Sequence, residues 1–254
     1  MKLYDLIAEQ YDAVRPSYPD EVIDEILGTD GDALSVLDVG SGTGISGRQM
    51  RDRGAHVLGV DMSAGMSAVA DRHGIETEVT PFDDWDPRGR TFDRVVSAQA
   101  WHWMDPVSSA QRAEPLLRPG GRLCLFWNLG YHPDDLADAL AHTYERALPA
   151  DSPHMTIGYA VNRSTALPKD FSVVTGAPQA FHQMTEEPFR TFSWEKEYTR
   201  DQWLDELGVH TDHLSLPTDA RERLFEQIAE TVDDFGGKFS MRFHTYLVCA
   251  TVRR

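Results

Sequence analysis

The first half of the chain alternates short apolar runs with segments whose apolar residues recur at helical spacing. The apolar runs predict strands over 35–39, 55–61, 76–82, 92–100 and 122–128. The helical spacing predicts helices over 20–27, 45–54, 63–74 (with Ser63 as its N-cap) and 113–121. Strands that alternate with helices predict a parallel sheet with right-handed crossovers and helices on both faces.

The second half departs from this alternation. Residues 131–170 contain a helical stretch and then a loop-like stretch, which indicates an insertion after the fifth strand. Beyond it, the pattern predicts two helices, over 200–208 and 217–235. Strands are predicted on either side of these helices, over 186–199 and 239–252.

The amino-acid composition limits which nucleic acids, membranes or other molecules the protein is expected to bind. Lys and Arg number 24 and Asp and Glu 41, for a formal net charge of −17. Nucleic acids and anionic membranes need a basic footprint, so neither is expected as a partner. No apolar run approaches the roughly 20 residues of a membrane span, and the acidic start MKLYDLIAEQYD does not suit a signal peptide. We therefore expect a soluble, cytoplasmic protein.

The two cysteines, Cys124 and Cys249, each lie inside an apolar run. This placement predicts buried, reduced thiols. Their separation has no zinc-site spacing, so no metal is expected.

The stretch VLDVGSGTG at 36–44 places three glycines at alternate positions directly after a predicted strand. Glycines there let backbone N–H groups and a helix N-terminus face a ligand. In the dinucleotide pattern G-x-G-x-x-G, Gly40 and Gly42 match but Ile45 occupies the third position. Asp61 ends the second strand 21 residues after Gly40 (61 − 40), the spacing of a ribose-binding acid. These features leave a dinucleotide and another adenosine ligand both open.

Three further features resemble the class I S-adenosylmethionine-dependent methyltransferases. Asp38, just before the glycines, gives VLDVGSGTG the form of that family's motif I. PFDDW supplies Asp83 where the family recognises the adenine amino group, and LLRPGGRLCLFWN resembles the segment after the methyl-transfer site. AEQYDAVRPSYP at 8–19 and SAQAWHWMD at 97–105 resemble the small-molecule branch that includes the trans-aconitate methyltransferase-like proteins.

The resemblance implies a fold and an activity. We expect a doubly wound, Rossmann-like α/β sheet of seven strands, the last antiparallel, with a helical cap. One domain would span 1–254, with its cofactor-binding core over about 30–128, its cap from 1–28 and 129–170, and C-terminal strands and helices over 186–252. The implied enzyme transfers a methyl group from S-adenosylmethionine to a small-molecule acceptor.

The resemblance also suggests roles for single residues in cofactor binding. The Asp61 carboxylate would accept hydrogen bonds from the ribose hydroxyls. Asp83, or its neighbour Asp84, would accept from the adenine amino group, with the Phe82 backbone at the ring and Met62 on its face. We call residues 40–44 the glycine turn. The other expected contacts come from this turn and from the tip of the fourth strand: Gly40, Ser41, Gly42, Ala98 and Gln99.

The N-terminal segment would cover the methionine end of the cofactor. Tyr11 would lie over it, and Arg15 would pair with its carboxylate or else anchor the segment to an acidic surface. Asp38 would bond either the turn's backbone or the cofactor's ammonium.

His102 is the candidate catalytic base, between Trp101 and Trp103 just past the fourth strand. Together the three rings would exclude water and face the sulfonium, or they would simply pack a helix start. A carboxylate acceptor needs no base, whereas a hydroxyl, amine or carbon acid does.

Four more aromatic residues are candidate substrate contacts or core residues: Tyr131, Tyr159, Phe192 and Trp194. Two alternative functions stay open at this point. One is a nicotinamide-dependent oxidoreductase, and the other a non-catalytic S-adenosylmethionine-binding protein.

Overall fold

A computed structural model describes residues 2–28, 33–148 and 184–253 of the chain. The strands are β1 (Ser35–Val39), β2 (His56–Asp61), β3 (Glu76–Val79), β4 (Phe92–Ala98), β5 (Leu117–Tyr131), β6 (Met184–Glu186), β7 (Arg190–Thr199) and β8 (Lys238–Val252). The helices within these ranges are α1 (Lys2–Val14), α2 (Asp20–Leu27), α3 (Ile45–Arg51), α4 (Ala64–Arg72), α5 (Pro106–Ala113), α6 (Asp134–Ala147), α7 (Arg200–Leu207), α8 (Thr211–Leu214) and α9 (Thr218–Asp234).

The strands form one sheet in the order β3-β2-β1-β4-β5-β8-β6, with β7 also paired to β8. Strands β1 to β5 are parallel, and β8 runs antiparallel to β5. The predicted α/β fold with an antiparallel last strand is therefore confirmed. The strand order reverses between β1 and β4, and ligands bind at the carboxyl ends of the strands on either side of such a reversal.

The sheet has eight strands, and not the seven expected, because two of them, β6 and β7, lie one after the other along the same edge of β8. Strand β6 pairs with residues 250–252 of β8, and β7 pairs with residues 238–247 along the same edge. The sequence pattern predicts one strand over 186–199. Pro188 lies in the break between β6 and β7, and proline has no N–H to donate to a ladder.

The prediction of a helix over 113–121 is wrong. The helix is α5, which ends at Ala113, and the segment from Leu117 onward belongs to β5. Asp105 caps α5 by accepting from the Ser108 N–H at 2.8 Å, and Pro106 occupies its first turn. An Asp-Pro pair is a helix-start signal that apolar spacing alone does not contain.

Helices cover both faces of the sheet. On one face, α2 and α3 pack through Ile23, Ile26 and Met50 against strand residues such as Val36 and Phe126. On the other face, α5 and the 3-10 turns beside it pack in the second core cluster. Helix α2 is thus part of the core, so the expectation that all of 1–28 forms a cap is wrong for this helix. Helix α1 instead packs on α4.

Strand β5 continues past its last pairing with β4, Ala98 with Phe126. We call the three-stranded segment formed by 127–131, 191–199 and 238–246 the extension. Helices α6, α7 and α9 pack against it in a cluster that includes Tyr144, Trp203, Ile228, Phe239 and Phe243. The rest of the predicted insertion, with Tyr159, lies outside the described residues. Among the helices of the described ranges, none is both long and apolar enough to cross a bilayer.

Candidate functional site

The three glycines after β1 serve different purposes. All have positive φ, +69° at Gly40, +55° at Gly42 and +80° at Gly44. A Cβ at Gly40 would lie 2.4 Å from the Ala100 Cβ, and one at Gly44 3.2 Å from the Ala70 Cβ. A Cβ at Gly42 would meet nothing within 4 Å. Packing therefore requires Gly40 and Gly44, whereas Gly42 borders open space.

The N–H groups of these glycines are already used inside the protein. Gly40 donates to the Val60 carbonyl at 2.8 Å, and Gly44 to the Ser41 carbonyl at 2.9 Å. Gly42 donates to Asp61 Oδ2 at 2.8 Å. The expectation that these N–H groups face a ligand is therefore wrong, because they close the turn on itself and onto β2. A pyrophosphate at such a turn requires free N–H donors.

Acceptor atoms of the same turn, in contrast, have no partner. The buried Asp38 Oδ1, Ser41 Oγ and Thr43 Oγ1 make no hydrogen bond within the described structure. Asp38 Oδ2 accepts from Ser46 Oγ at 2.8 Å. Burial raises the pKa of Asp38 to about 7, against the lowering effect of the Ser46 hydrogen bond. Buried polar atoms are normally paired, so the Asp38 carboxylate oxygen indicates a ligand that donates hydrogen bonds, while the two hydroxyls can donate or accept.

Asp61 lies at the end of β2, beside the turn. Its Oδ2 accepts from the Gly42 N–H and its Oδ1 from the Ser63 N–H, both at 2.8 Å. Burial raises the pKa of Asp61, and the two backbone hydrogen bonds oppose that rise. Each carboxylate oxygen has a second lone pair. Asp61 therefore holds the turn in place and still has acceptor capacity for a ligand.

Asp5 is a site residue that sequence reasoning missed. Its Oδ1 accepts from Ser63 Oγ at 2.6 Å and from the Gly65 N–H at 2.9 Å. Ser63 also caps α4, as predicted, by accepting from the Met66 N–H at 3.2 Å. A Cβ at Gly65 would lie 2.6 Å from the Asp5 Cα, so this glycine lets α1 approach α4 beside Asp61. Gly65 in the first turn of α4 was the available signal.

The residues expected around the adenine separate into exposed and buried ones. Met62 is 46% exposed, and Asp83 and Asp84 are exposed on a 3-10 turn. Phe82 is buried, and its carbonyl accepts from Arg112 Nε at 2.7 Å. The Phe82 side chain is thus part of the core, while the contact of its backbone with the adenine stays a prediction, as do the adenine contacts of the other three residues.

The tip of β4 is held by Asn128, a second residue that the sequence did not single out. Gln99, in the left-handed region at φ +56°, donates from Nε2 to the Asn128 carbonyl at 3.0 Å. The Asn128 amide donates to the Ser17 carbonyl at 3.1 Å and accepts from Thr245 Oγ1 at 2.6 Å. Asn128 thus connects the half-buried Ala98–Gln99 tip, the α1–α2 loop and β8.

His102 is exposed, and its Nδ1 accepts from Trp127 Nε1 at 3.3 Å. Partial desolvation lowers the pKa of His102, so the ring is neutral at pH 7. An indole N–H only donates, so the neutral His102 ring carries its proton on Nε2. Trp101 is fully buried in the core and Trp103 is 64% exposed. The expected enclosure by all three aromatic rings is therefore wrong for Trp101.

Arg15 has partners in the C-terminal half of the chain. Its Nη1 lies 3.3 Å from Glu206 Oε1 and 2.7 Å from His210 Nε2. Glu206 is buried and also accepts from the Tyr198 hydroxyl at 2.9 Å. The guanidinium lies 5.6 Å from the centre of the Tyr11 ring. Contacts of Tyr11 and Arg15 with a cofactor stay predictions, and Arg15 would make them with its remaining N–H groups.

The aromatic residues expected to contact substrate lie in or beside the extension. The Tyr131 hydroxyl is 3.2 Å from that of Tyr246, and the Trp194 ring stacks on Phe243 at 4.4 Å. Phe192 packs against the α2–α3 side of the core. Substrate contact stays a prediction for these three residues. Within 2–28, 33–148 and 184–253, no group of three His, Cys, Asp or Glu side chains is placed to hold a metal.

Residues 36–121 match the family profile described as a methyltransferase domain. An uncharacterised methyltransferase of Mycobacterium bovis is 39% identical over 126 residues, which are 46% of this chain and 49% of that protein. A ubiquinone biosynthesis O-methyltransferase of Leptothrix cholodnii is 34% identical over 99 residues, 35% of this chain and 42% of that protein. The chain thus spans about half the length or less of these curated relatives.

Two solved structures are similar over nearly the whole chain. A candidate type II methyltransferase from Anaeromyxobacter dehalogenans aligns over 94% of this chain and 97% of its own, with a TM-score of 0.63 and 20% identity. The cyclase SpnF aligns over 99% and 94%, with a TM-score of 0.56 and 14% identity. Identities this low show the fold alone, and the cyclase illustrates that this fold hosts more than one reaction.

These findings confirm the resemblance at the level of the class. Residues 36–121 are similar to methyltransferase domains, which supports the class I, S-adenosylmethionine-dependent type. The trans-aconitate methyltransferase-like branch is not shown. No comparison supports the nicotinamide-dependent or the non-catalytic alternative.

Proposed function

We propose that this chain is an S-adenosylmethionine-dependent methyltransferase that acts on a small-molecule acceptor. The observation that carries the proposal is the polarity of the glycine turn. Its glycine N–H groups have internal acceptors, while Asp38 Oδ1 is buried without a partner. An ammonium group and ribose hydroxyls donate to such acceptors, whereas a pyrophosphate would find no free glycine N–H at the turn and would be repelled by an ionised Asp38.

The residues of the turn and of the strand ends fit this cofactor. Asp61 would accept from the ribose hydroxyls with its remaining lone pairs, and Asp38 Oδ1 from the methionine ammonium. The open space at Gly42 lets the cofactor approach the backbone. Met62 and Asp83 would contact the adenine, and Gln99 the methionine end.

The bound cofactor supplies a methyl group on a positively charged sulfonium, already activated for displacement. The protein's task is then to align the acceptor atom with that methyl group. The proton-accepting lone pair of His102 is already used by Trp127. We therefore assign His102 the role of a hydrogen-bond donor at Nε2, rather than that of a general base.

For the methyl acceptor we propose only a broad chemical class. The net charge of −17 argues against a polyanionic acceptor. A carboxylic acid, as the trans-aconitate-like branch would use, and a hydroxyl group, suggested by the word O-methyltransferase in the name of the ubiquinone biosynthesis relative, are the two classes to test first.

Calorimetric titration with S-adenosylhomocysteine and with NAD tests the cofactor. We expect S-adenosylhomocysteine to bind, and Asp61→Ala to weaken binding by about 1.5–3 kcal/mol, the scale of hydrogen bonds to a charged group. Asp52→Ala, which removes an exposed carboxylate at the end of α3, is the matched control and should leave the affinity unchanged. Binding of NAD without S-adenosylhomocysteine would overturn the proposal.

A screen of carboxylic acids, phenols and amines with a labelled methyl donor tests catalysis. Transfer of label to any of these acceptors supports the enzyme assignment. Tight S-adenosylhomocysteine binding without transfer to any acceptor would favour a non-catalytic binding protein.

A further inference from the structure

Two buried thiols face each other on neighbouring strands of the sheet. Cys124 on β5 and Cys249 on β8 are directly opposite in the antiparallel ladder. Both are free cysteines, and their sulfur atoms lie 3.0 Å apart. The mechanism proposed above uses neither of them.

The backbone geometry at this pair suits a disulfide. The Cys249 carbonyl accepts from the Glu187 N–H at 2.9 Å, so the backbone polar groups of Cys249 point toward the β6–β7 edge. Cys124 and Cys249 therefore form a non-hydrogen-bonded pair of the β5–β8 ladder, in which Cα atoms lie about 4.5 Å apart. Disulfides span Cα distances of about 4.4–6.8 Å, so the strands need little movement to be linked.

The surroundings favour one thiol as the nucleophile. Burial raises the pKa of the Cys124 thiol, but the hydrogen bond from Cys249 and the positive charge of Arg122 outweigh this effect and lower it overall. Arg122 itself is held by Glu187, with Nη2 to Oε2 at 2.6 Å. The thiolate is the reactive form of cysteine, so Cys124 is the attacking residue.

We propose that Cys124 and Cys249 are a redox site that closes into an intramolecular cross-strand disulfide on exposure to a peroxide. The Cys124 thiolate attacks one oxygen of hydrogen peroxide, the O–O bond breaks, and a Cys124 sulfenic acid forms. The released hydroxide takes up the proton that the Cys124 thiol lost on ionising, which gives water. The Cys249 thiol then attacks the Cys124 sulfur and displaces a second water. The two thiols lose two electrons in total, and the peroxide gains them.

The disulfide would tie the closing strand β8 to the centre of the sheet. It closes a loop of 125 residues (249 − 124), and a crosslink over a long loop restricts the unfolded chain strongly. The oxidised protein should therefore resist denaturation better than the reduced one. The pair lies on β5 and β8, the strands that continue into the extension.

The test is treatment of the full chain with hydrogen peroxide, followed by maleimide labelling in denaturant and tryptic mapping. We expect both thiols to be lost to labelling and recovered by dithiothreitol. Peptides 123–146 and 243–253 should be found linked within one chain. The urea midpoint should rise on oxidation and return on reduction. Counting thiols makes the readout insensitive to methionine oxidation.

Cys124→Ala and Cys249→Ala, made separately, are the controls, so that a failure of one variant to fold leaves the other. Neither should show a rise in midpoint with peroxide. Sulfinic acid without a linked peptide, a disulfide only between chains, or thiols that stay fully labelled would each overturn the proposal. A linked chain with an unchanged midpoint would overturn its stabilising role.

Discussion

The glycine turn and the extension differ in whether their buried polar groups have hydrogen-bond partners. At the turn, Asp38 Oδ1 and two hydroxyl oxygens are buried without a partner. In the extension, the Trp194 indole donates to Thr245 at 2.9 Å, and Thr245 donates to Asn128 at 2.6 Å. A buried polar atom without a partner costs about 1–3 kcal/mol, so a ligand that pairs with the turn removes a cost that the paired Trp194, Thr245 and Asn128 side chains do not carry.

This contrast indicates that ligand binding and structural stability depend on different parts of the molecule. Substitutions at the turn should change cofactor affinity more than stability. Substitutions in the paired groups of the C-terminal half should do the reverse. Arg15, Gly42, Asp38 and His102 test this separation, in descending order of expected effect.

Arg15→Ala should mainly lower the free energy of unfolding. Arg15 and its partner Glu206 are 17% and 4% exposed in their side chains, and removing the guanidinium leaves this buried carboxylate with Lys196 Nζ at 3.8 Å and the Tyr198 hydroxyl. Because these partners remain, we expect a loss of about 3 kcal/mol, the lower end for a broken buried pair, measured by urea unfolding. Arg223→Ala, which removes an exposed ion pair with Asp219, should cost almost nothing. An unchanged midpoint with lost S-adenosylhomocysteine affinity would instead place Arg15 at the cofactor.

Gly42→Val should mainly weaken the binding of the cofactor. Its side chain enters space that the protein leaves open, so we expect S-adenosylhomocysteine affinity to fall at least about 100-fold, roughly 2.7 kcal/mol. The positive φ adds only about 1–2 kcal/mol of strain. Gly40→Ala is the matched comparison, because its Cβ meets Ala100 and should lower the melting temperature more. A folded Gly42→Val protein with parental affinity would contradict the site.

Asp38 should make the stability of the ligand-free protein depend on pH. Its pKa is about 7 in the folded state because it is buried, above the 3.8 of a free aspartate, so the folded state binds the extra proton. The free energy of unfolding should fall between pH 5 and pH 7 by on the order of 2 kcal/mol, at about 1.4 kcal/mol per pKa unit.

Asp38→Asn should remove this contribution, which is measured as the difference between the two unfolding curves. S-adenosylhomocysteine affinity should rise over the same pH range in the parent only, since an ionised Asp38 attracts the ammonium. Parallel pH curves for the parent and the variant would disprove the assignment.

His102→Ala should have the smallest effect. Once an acceptor is identified, we expect kcat to fall less than about 10-fold with an unchanged pH profile, because a lost general base would cost about 10²–10⁴-fold. His142→Ala, at an exposed position on α6, is the matched control. A loss in the larger range, with unchanged melting and cofactor affinity, would restore His102 as the base.

Local patterns predicted the parts of the fold that are locally encoded. Strands β1 to β4 and helices α2 to α4 match their predicted positions to within a few residues, because apolar periodicity reports which face of an element is buried. The prediction of a helix over 113–121 failed because Pro119 and Gly120 make a bulge inside a long strand. A bulge interrupts the regular alternation of buried and exposed residues by which a strand is predicted.

Short-range order and spacing in the sequence were enough to predict the α/β class, the glycine turn and the acid at the end of β2, whereas the type of cofactor came from the resemblance to a known family. The packing of the folded chain was needed to show that Gly40 is required by Ala100, that Arg15 pairs with Glu206, and that the His102 lone pair is taken by Trp127. Each of these contacts joins residues from separate elements. The physical reason is that such a contact depends on how those elements pack together, and neither local sequence contains that information.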